Sequence, residues 1–344
     1  MTFGISLIVL AAWVSSYALV GAMRRLAIKQ NLLDVPNARS SHAVATPRGG
    51  GAGIVIVFLA AITVLFGIGF LPIRSWVGFA VSGSVIAAVG YFDDKRHLKA
   101  STRLLVHFGA AIFFVVVCGG YPNDQLAKLG LHGVVVGGVF SVLVLVWGTN
   151  LFNFMDGIDG IAASEAIYIT LTAALLCVLN GGEIGLTMVL FVVSAASLGF
   201  LHWNWPPAQI FMGDIGSGFL GFVVSASLMA TTVHGNLPLE VAPILGGVFV
   251  IDATITLIRR VLQGEKWSEP HRTHAYQQLA RRFGSHRPAT LIVLAVNVIW
   301  LLPWAIAAAR FPERGLLFTT AALLPLVIIS IIVGAGRREA KTAT

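Results

Sequence analysis

Eleven apolar stretches alternate with short polar breaks along this chain of 344 residues. Each is close to the roughly 20 residues that a helix needs to cross hydrocarbon. They fall near 3–23, 51–71, 75–92, 103–120, 133–150, 161–180, 185–202, 215–233, 239–258, 288–309 and 315–334. The pattern predicts an all-α polytopic integral membrane protein, a single transmembrane domain over 1–344, with no room for a separate soluble one. Composition agrees, because 11% of the residues are charged where soluble domains carry about 25%. The first stretch has no basic segment before it and is followed by Arg24-Arg25. It is expected to remain as a span and not to be removed as a signal peptide.

A net charge of +8 would suggest nucleic acid in a soluble protein, but here its distribution carries the information. All of the 23 Lys and Arg except Arg74, Lys128, Arg310 and Arg314 fall in alternate breaks. The positive-inside rule puts that face in the cytoplasm, with a periplasmic amino terminus and a cytoplasmic carboxyl terminus. The cytoplasmic loops are then about 24–50, 93–102, 151–160, 203–214 and 259–287. Nucleic acid drops out as a partner. Cys118 and Cys177 lie in different spans and read as inert packing residues. Gly49-x-x-x-Gly53 and Gly133-x-x-x-Gly137 fit helix-packing spacing, but 37 glycines produce such matches by chance.

Only 15 acids occur, and five of them, Asp93, Asp94, Asp156, Asp159 and Asp214, sit in three short clusters where apolar runs end or begin. A carboxylate at the bilayer centre costs roughly 2.5–3.5 kcal/mol, so acids in such a chain are placed where chemistry needs them. All three clusters fall on the cytoplasmic side and predict one boundary site around a divalent cation. Asn153, Asp156 and Asp159 are spaced i, i+3, i+6, which a helix would hold in one stripe, with Gly157 and Gly160 permitting close approach of a ligand. Asp93-Asp94 reads as a metal or general-base pair, against a capped turn as the plainer account. Asp214 opens a Gly-rich entry to a helix whose amino terminus can face phosphate. Gly216-Ser217-Gly218-Phe219-Leu220-Gly221 matches a dinucleotide fingerprint but lacks a preceding strand and is rejected.

His271, Arg272 and His274 stand close together in the loop before Tyr276. Zinc is a poor fit, since no Cys accompanies them, whereas a guanidinium fork suits phosphate oxygens. Arg39-Ser40-Ser41-His42 and Thr46-Pro47-Arg48-Gly49-Gly50-Gly51 form a second basic segment suited to anions.

Asp93-Asp94 before a basic stretch, Asn153-Phe154-Met155-Asp156-Gly157-Ile158-Asp159-Gly160, Phe211-Met212-Gly213-Asp214-Ile215-Gly216-Ser217 and a His-rich penultimate loop occur in this order. From Asp34-Val35-Pro36-Asn37 to the last helices, the chain resembles the polyprenyl-phosphate N-acetylhexosamine-1-phosphate transferases. The peptidoglycan branch of that family carries three consecutive histidines in the penultimate loop. The string His271-Arg272-Thr273-His274-Ala275-Tyr276 looks instead like the O-antigen-initiating enzymes, some of which use UDP-N-acetylfucosamine or UDP-N-acetylquinovosamine.

The resemblance implies transfer of a sugar 1-phosphate from a UDP-N-acetylhexosamine to undecaprenyl phosphate, releasing UMP, at the cytoplasmic face of a bacterial inner membrane. It implies Mg²⁺, with Mn²⁺ able to substitute, bound by Asp214 and Asp94. Asp93, Asp94, Asp156, Asp159, His271 and His274 become the catalytic candidates, with Asn153, Arg272 and Arg48 binding substrate. A homodimer is compatible with it. Two mechanisms stay open: direct attack by the lipid phosphate, with a carboxylate such as Asp93 as base, or a covalent phospho-sugar enzyme. A transporter is the rival class, but no repeated half is visible and the acids lie at one boundary.

Overall fold

The computed structural model describes residues 2–36, 44–122, 130, 133–265 and 271–338. The segment Arg39–His42 and the far-side Lys128 lie outside the described residues. Thirteen helices follow in chain order: α1 (Thr2–Lys29), α2 (Gly51–Gly67), α3 (Ile73–Arg96), α4 (Ala100–Cys118), α5 (Val134–Met155), α6 (Ile161–Leu179) and α7 (Ile184–Asn204). Then come α8 (Asp214–Val233), α9 (Val241–Leu245), α10 (Gly247–Leu262), α11 (Ala275–Phe283), α12 (His286–Arg310) and α13 (Gly315–Val333).

Among the described residues, nine helices are long and apolar enough to cross a membrane. The protein is therefore an all-α polytopic membrane protein, as the apolar pattern predicts. Two of the eleven predicted spans differ. The second is only 17 residues long. The span expected at 239–258 is broken at Gly246 into α9 and α10, where Gly246-Gly247 supplies little resistance to a bend. The piece after the break carries Asp252, Thr256, Arg259 and Arg260 beside apolar residues, so its polar face needs protein rather than lipid beside it.

Helix α8 is the centre of the bundle. Of its most apolar stretch 89% is buried, against 17% for the last span. Lipid tails are as apolar as Leu, so helices associate here through close packing and not through the hydrophobic effect. Two contacts show how close. A Cβ on Gly51 would lie 2.3 Å from the Gly216 Cα, and one on Gly90 would lie 2.3 Å from the Asp214 carbonyl oxygen. Glycine is thus required where α2 and α3 cross the first turn of α8. Deeper in the bundle Phe58, Phe79, Phe114, Phe219 and Phe222 meet edge to face. Each such pair contributes about 0.5–1.5 kcal/mol beyond area burial.

Besides a short 3-10 turn at Pro312–Arg314, the described residues also hold a two-residue antiparallel ladder, β1 (Leu33–Asp34) with β2 (Thr46–Pro47). Its continuation matters more than its size. The Phe211 N–H donates to the Pro47 carbonyl at 2.8 Å, and the Gly50 N–H donates to the Phe211 carbonyl at 2.9 Å. Arg48 is thereby stitched to the segment that leads into α8.

In the second turn of α6 Glu165 is wholly buried. Its Oε2 accepts a hydrogen bond of 2.5 Å from the Asn297 Nδ2 of α12. Asn297 lies in a single π-helical turn, Val296–Leu301, the wider turn bringing the amide round to face α6.

Candidate active site

One cavity of about 280 Å³ collects the polar ends of α5, α7, α8 and the segments before α2, α11 and α12. Arg48, Asn153, Asp156, Asp159, Asp214, His271 and Arg272 all line it. Residues 166 positions apart touch there: the Arg48 guanidinium lies 2.9 Å from an Asp94 oxygen and 3.3 Å from Asp214 Oδ1. The Asn153 amide donates to Asp214 Oδ1 and to Ser217 Oγ, both at 3.0 Å.

The Asp93-Asp94 pair divides its work. Asp94 Oδ1 accepts the Asp214 N–H at 2.9 Å and Oδ2 accepts the Ile215 N–H at 3.1 Å. A carboxylate from α3 thus caps the amino terminus of α8, where orphan donors and the helix dipole favour negative charge. Both its oxygens are spent on that and on Arg48. Asp93 is 4% exposed. It accepts the Leu98 N–H at 2.7 Å and is paired with the Arg103 guanidinium, fixing the turn at the end of α3. Both acids act as anchors in this geometry.

The helical stripe expected through Asn153, Asp156 and Asp159 does not form. Helix α5 ends at Met155, and the chain turns through Asp156 to Gly160, which has a φ of +76°. Gly157 cannot carry a side chain, since a Cβ would lie 2.2 Å from the Tyr276 hydroxyl oxygen. The turn separates the acids by function. Asp159 accepts the Ala208 N–H at 3.0 Å and faces His286 Nδ1 at 3.1 Å. Asp156 makes no hydrogen bond among the described residues and lines the cavity. Burial, and then the nearness of Asp214, hold its carboxyl well above the ordinary carboxylate range, with Asp159 and Asp94 adding to this against an opposing pull from Arg48.

The penultimate loop also splits. His271 and Arg272 line the cavity, but His274 is 3% exposed and turned away from it. Its Nδ1 lies 3.3 Å from Asp252 Oδ1. Burial, with His274 and Arg260 nearby, pushes His271 down to about 3, so this imidazole is neutral near pH 7. Asp252, which the sequence reading passes over, accepts the Ala275 and Tyr276 N–H groups at 2.8 and 3.0 Å. It caps α11 from α10, as Asp94 caps α8 from α3. An acid inside an apolar run was the available signal. His286 and Asn204, which holds the Gly160 N–H at 2.9 Å, carried no comparable mark.

Among the described residues no three His, Cys, Asp or Glu side chains form a metal cage by themselves. Asp156 and Asp214 nevertheless place two mutually repelling carboxylates in one cavity. Mg²⁺ is commonly held by one or two carboxylates together with substrate phosphates, so this donor set fits it.

A second cavity of about 630 Å³ adjoins the first and shares Asp159, Phe211, Arg272, Gln277 and His286 with it. Together they form a groove with acids at one end, Arg48, Arg272, Arg281 and Arg287 along it and the Phe211 ring where the two cavities join.

Residues 76–232 match the family model described as "Glycosyl transferase family 4". A probable undecaprenyl-phosphate N-acetylglucosaminyl 1-phosphate transferase of Bacillus subtilis (strain 168) is 32% identical over 288 residues, covering 81% of this chain and 78% of that protein. A decaprenyl-phosphate N-acetylglucosaminephosphotransferase of Mycolicibacterium smegmatis is 28% identical, over 96% of this chain and 87% of its own. An undecaprenyl-phosphate alpha-N-acetylglucosaminyl 1-phosphate transferase of Salmonella typhimurium is 29% identical, over 80% and 77%. With its acids, arginines and bundle arranged as described, and with this identity across four fifths of its length, the chain belongs to glycosyl transferase family 4, the polyprenyl-phosphate N-acetylhexosamine-1-phosphate transferases.

Proposed function

We propose that this enzyme transfers an N-acetylhexosamine 1-phosphate from a UDP-sugar to undecaprenyl phosphate, at the cytoplasmic face of a bacterial inner membrane. The observation that carries the reading is the meeting of Asp156, Asp214 and Asn153 with Arg48 and Arg272 in one groove at the end of a membrane bundle. A soluble dianionic donor and a lipid-borne anionic acceptor need such a boundary. Arg48 and Arg272 offer forks to the diphosphate, and Phe211 offers a ring face to the nucleobase. Asp156 and Asp214 would hold Mg²⁺, which would offset the charge of the diphosphate.

In this reading an acceptor phosphate oxygen attacks the β-phosphorus and the bond to UMP breaks, UMP leaving with the electron pair. The acceptor phosphate is already ionised, so the step needs no strong base. Asp93, tied to Arg103 and Leu98, then has a positioning role. Direct attack is favoured over a covalent intermediate because positioning and charge compensation suffice.

The His271–Tyr276 string supports an O-antigen-initiating role and N-acetylated 6-deoxy donors, whereas the names of the relatives point to UDP-N-acetylglucosamine. Transfer of label from a panel of UDP-sugars in vesicles would test donor and reaction together. Asp156→Asn should lower the rate by about 10²–10³-fold with the protein still folded, and excess chelator should stop transfer. Full activity under either condition would remove the cation from the site.

A further inference from the structure

Apart from the catalytic groove, the strongest concentration of charge lies where the last membrane helix ends. Arg281 and Arg282 of α11 and Arg337 and Arg338 after α13 surround a pocket of about 360 Å³. Arg281 also lines the second cavity of the groove, whereas Arg282, Arg337 and Arg338 line neither of its cavities. The guanidiniums are partly pre-set by backbone carbonyls. Arg282 donates to the Val333 carbonyl at 2.9 Å and Arg281 to the Arg272 carbonyl at 2.6 Å. The segment after α13 is pinned as well, the Gly336 N–H donating to the Thr273 carbonyl at 2.8 Å and Arg259 to the Ala335 carbonyl at 2.8 Å. Glu265 is the acid that reaches this cluster among the described residues, and it is shared between Arg260 and Arg338. Among the described residues the pocket therefore keeps a positive excess.

Its depth narrows the choice of ligand. Val333 closes the most apolar of the candidate spans, so the pocket lies at headgroup level. Phe283, at the end of α11, is 52% exposed and adds an apolar edge next to the arginines. We propose that this pocket binds the phosphodiester headgroup of an anionic glycerophospholipid of the surrounding bilayer. Charge complementarity and position at the end of a span both favour such a lipid, since basic pockets at this level are the places where anionic headgroups dock. Because Arg281 holds the carbonyl of Arg272, a bound headgroup would also steady a residue that lines the catalytic cavity.

The test uses the full-length protein in nanodiscs of zwitterionic lipid containing a small fraction of phosphatidylglycerol. Lipid retained after extraction into mild detergent is counted by mass spectrometry. Wild type should keep phosphatidylglycerol in preference to the zwitterionic lipid. Each basic residue near a surface strengthens such binding about fivefold, so Arg282→Gln with Arg337→Gln should weaken retention about 25-fold. Arg337→Glu alone, at an exposed position, should lose most of it and guards against misfolding of the double variant. Arg25→Gln with Lys29→Gln removes the same charge elsewhere and should leave retention unchanged. Equal loss in that control would reduce the effect to the general positive charge of the protein and overturn the site. So would displacement by millimolar inorganic phosphate, or retention of added undecaprenyl phosphate in place of phosphatidylglycerol.

Discussion

Asp252 and His271 are two side chains whose surroundings set them apart from others of their type. Asp252 is buried, yet its oxygens are taken up by two backbone N–H groups, His274 and the Thr256 hydroxyl at 3.1 Å. Removing a helix cap costs about 0.5–2 kcal/mol, so Asp252→Ala should lower the melting temperature and raise the donor KM, through displacement of Arg272. An unchanged KM in a destabilised protein would mean that the cap serves folding alone. His271, held near 3 when folded, takes up a proton near 6.5 once unfolded. The unfolded chain binds more protons between these values, so this contribution to stability is complete above about pH 6.5 and is lost as pH falls towards 3. The drop in melting temperature between pH 7.5 and pH 5 should accordingly be smaller in His271→Gln than in wild type.

Elements place the site through their ends. Helix α8 contributes an acid, a capped amino terminus and Ser217 only because α2 and α3 cross it at glycines. Gly216→Ala would put a Cβ 2.5 Å from the Gly51 Cα, and overpacking of this kind costs about 1–3 kcal/mol. The variant should melt earlier and bind donor more weakly, since Arg48 rides on the segment that must move. Retention of both properties would show that the two backbones can part without consequence. Existence of the helices was legible from the apolar runs, because length and hydropathy alone decide it. The break at Gly246 was hidden by a continuous apolar run, and the i, i+3, i+6 spacing of Asn153, Asp156 and Asp159 suggested a helix that two glycines prevent. The sequence could name Asp93 and Asp94 but not that their oxygens are spent on Arg103, Leu98 and the first turn of α8, since those partners lie up to 121 positions away.

At the scale of the molecule the catalytic groove and the arginine pocket open at the same end of the bundle, and orientation decides which compartment they meet. Single-cysteine labelling with a membrane-impermeant reagent measures it directly. Lys99→Cys, near the groove, should react only in inside-out vesicles, and Glu313→Cys, at the opposite end, only in right-side-out ones. The reverse pattern would place the site outside the cell and remove UDP-sugars as substrates. The lengths of chain between bonded partners also bear on how the protein is made. The Asp94 carboxylate waits for a helix that begins 120 residues later, roughly ten seconds at ordinary rates of synthesis. Lying at the end of α3, it can spend that time in water. Glu165, in the second turn of α6, meets Asn297 only 132 residues later. Until α12 has been inserted, the first turns of α6 must keep Glu165 within reach of water or of other protein.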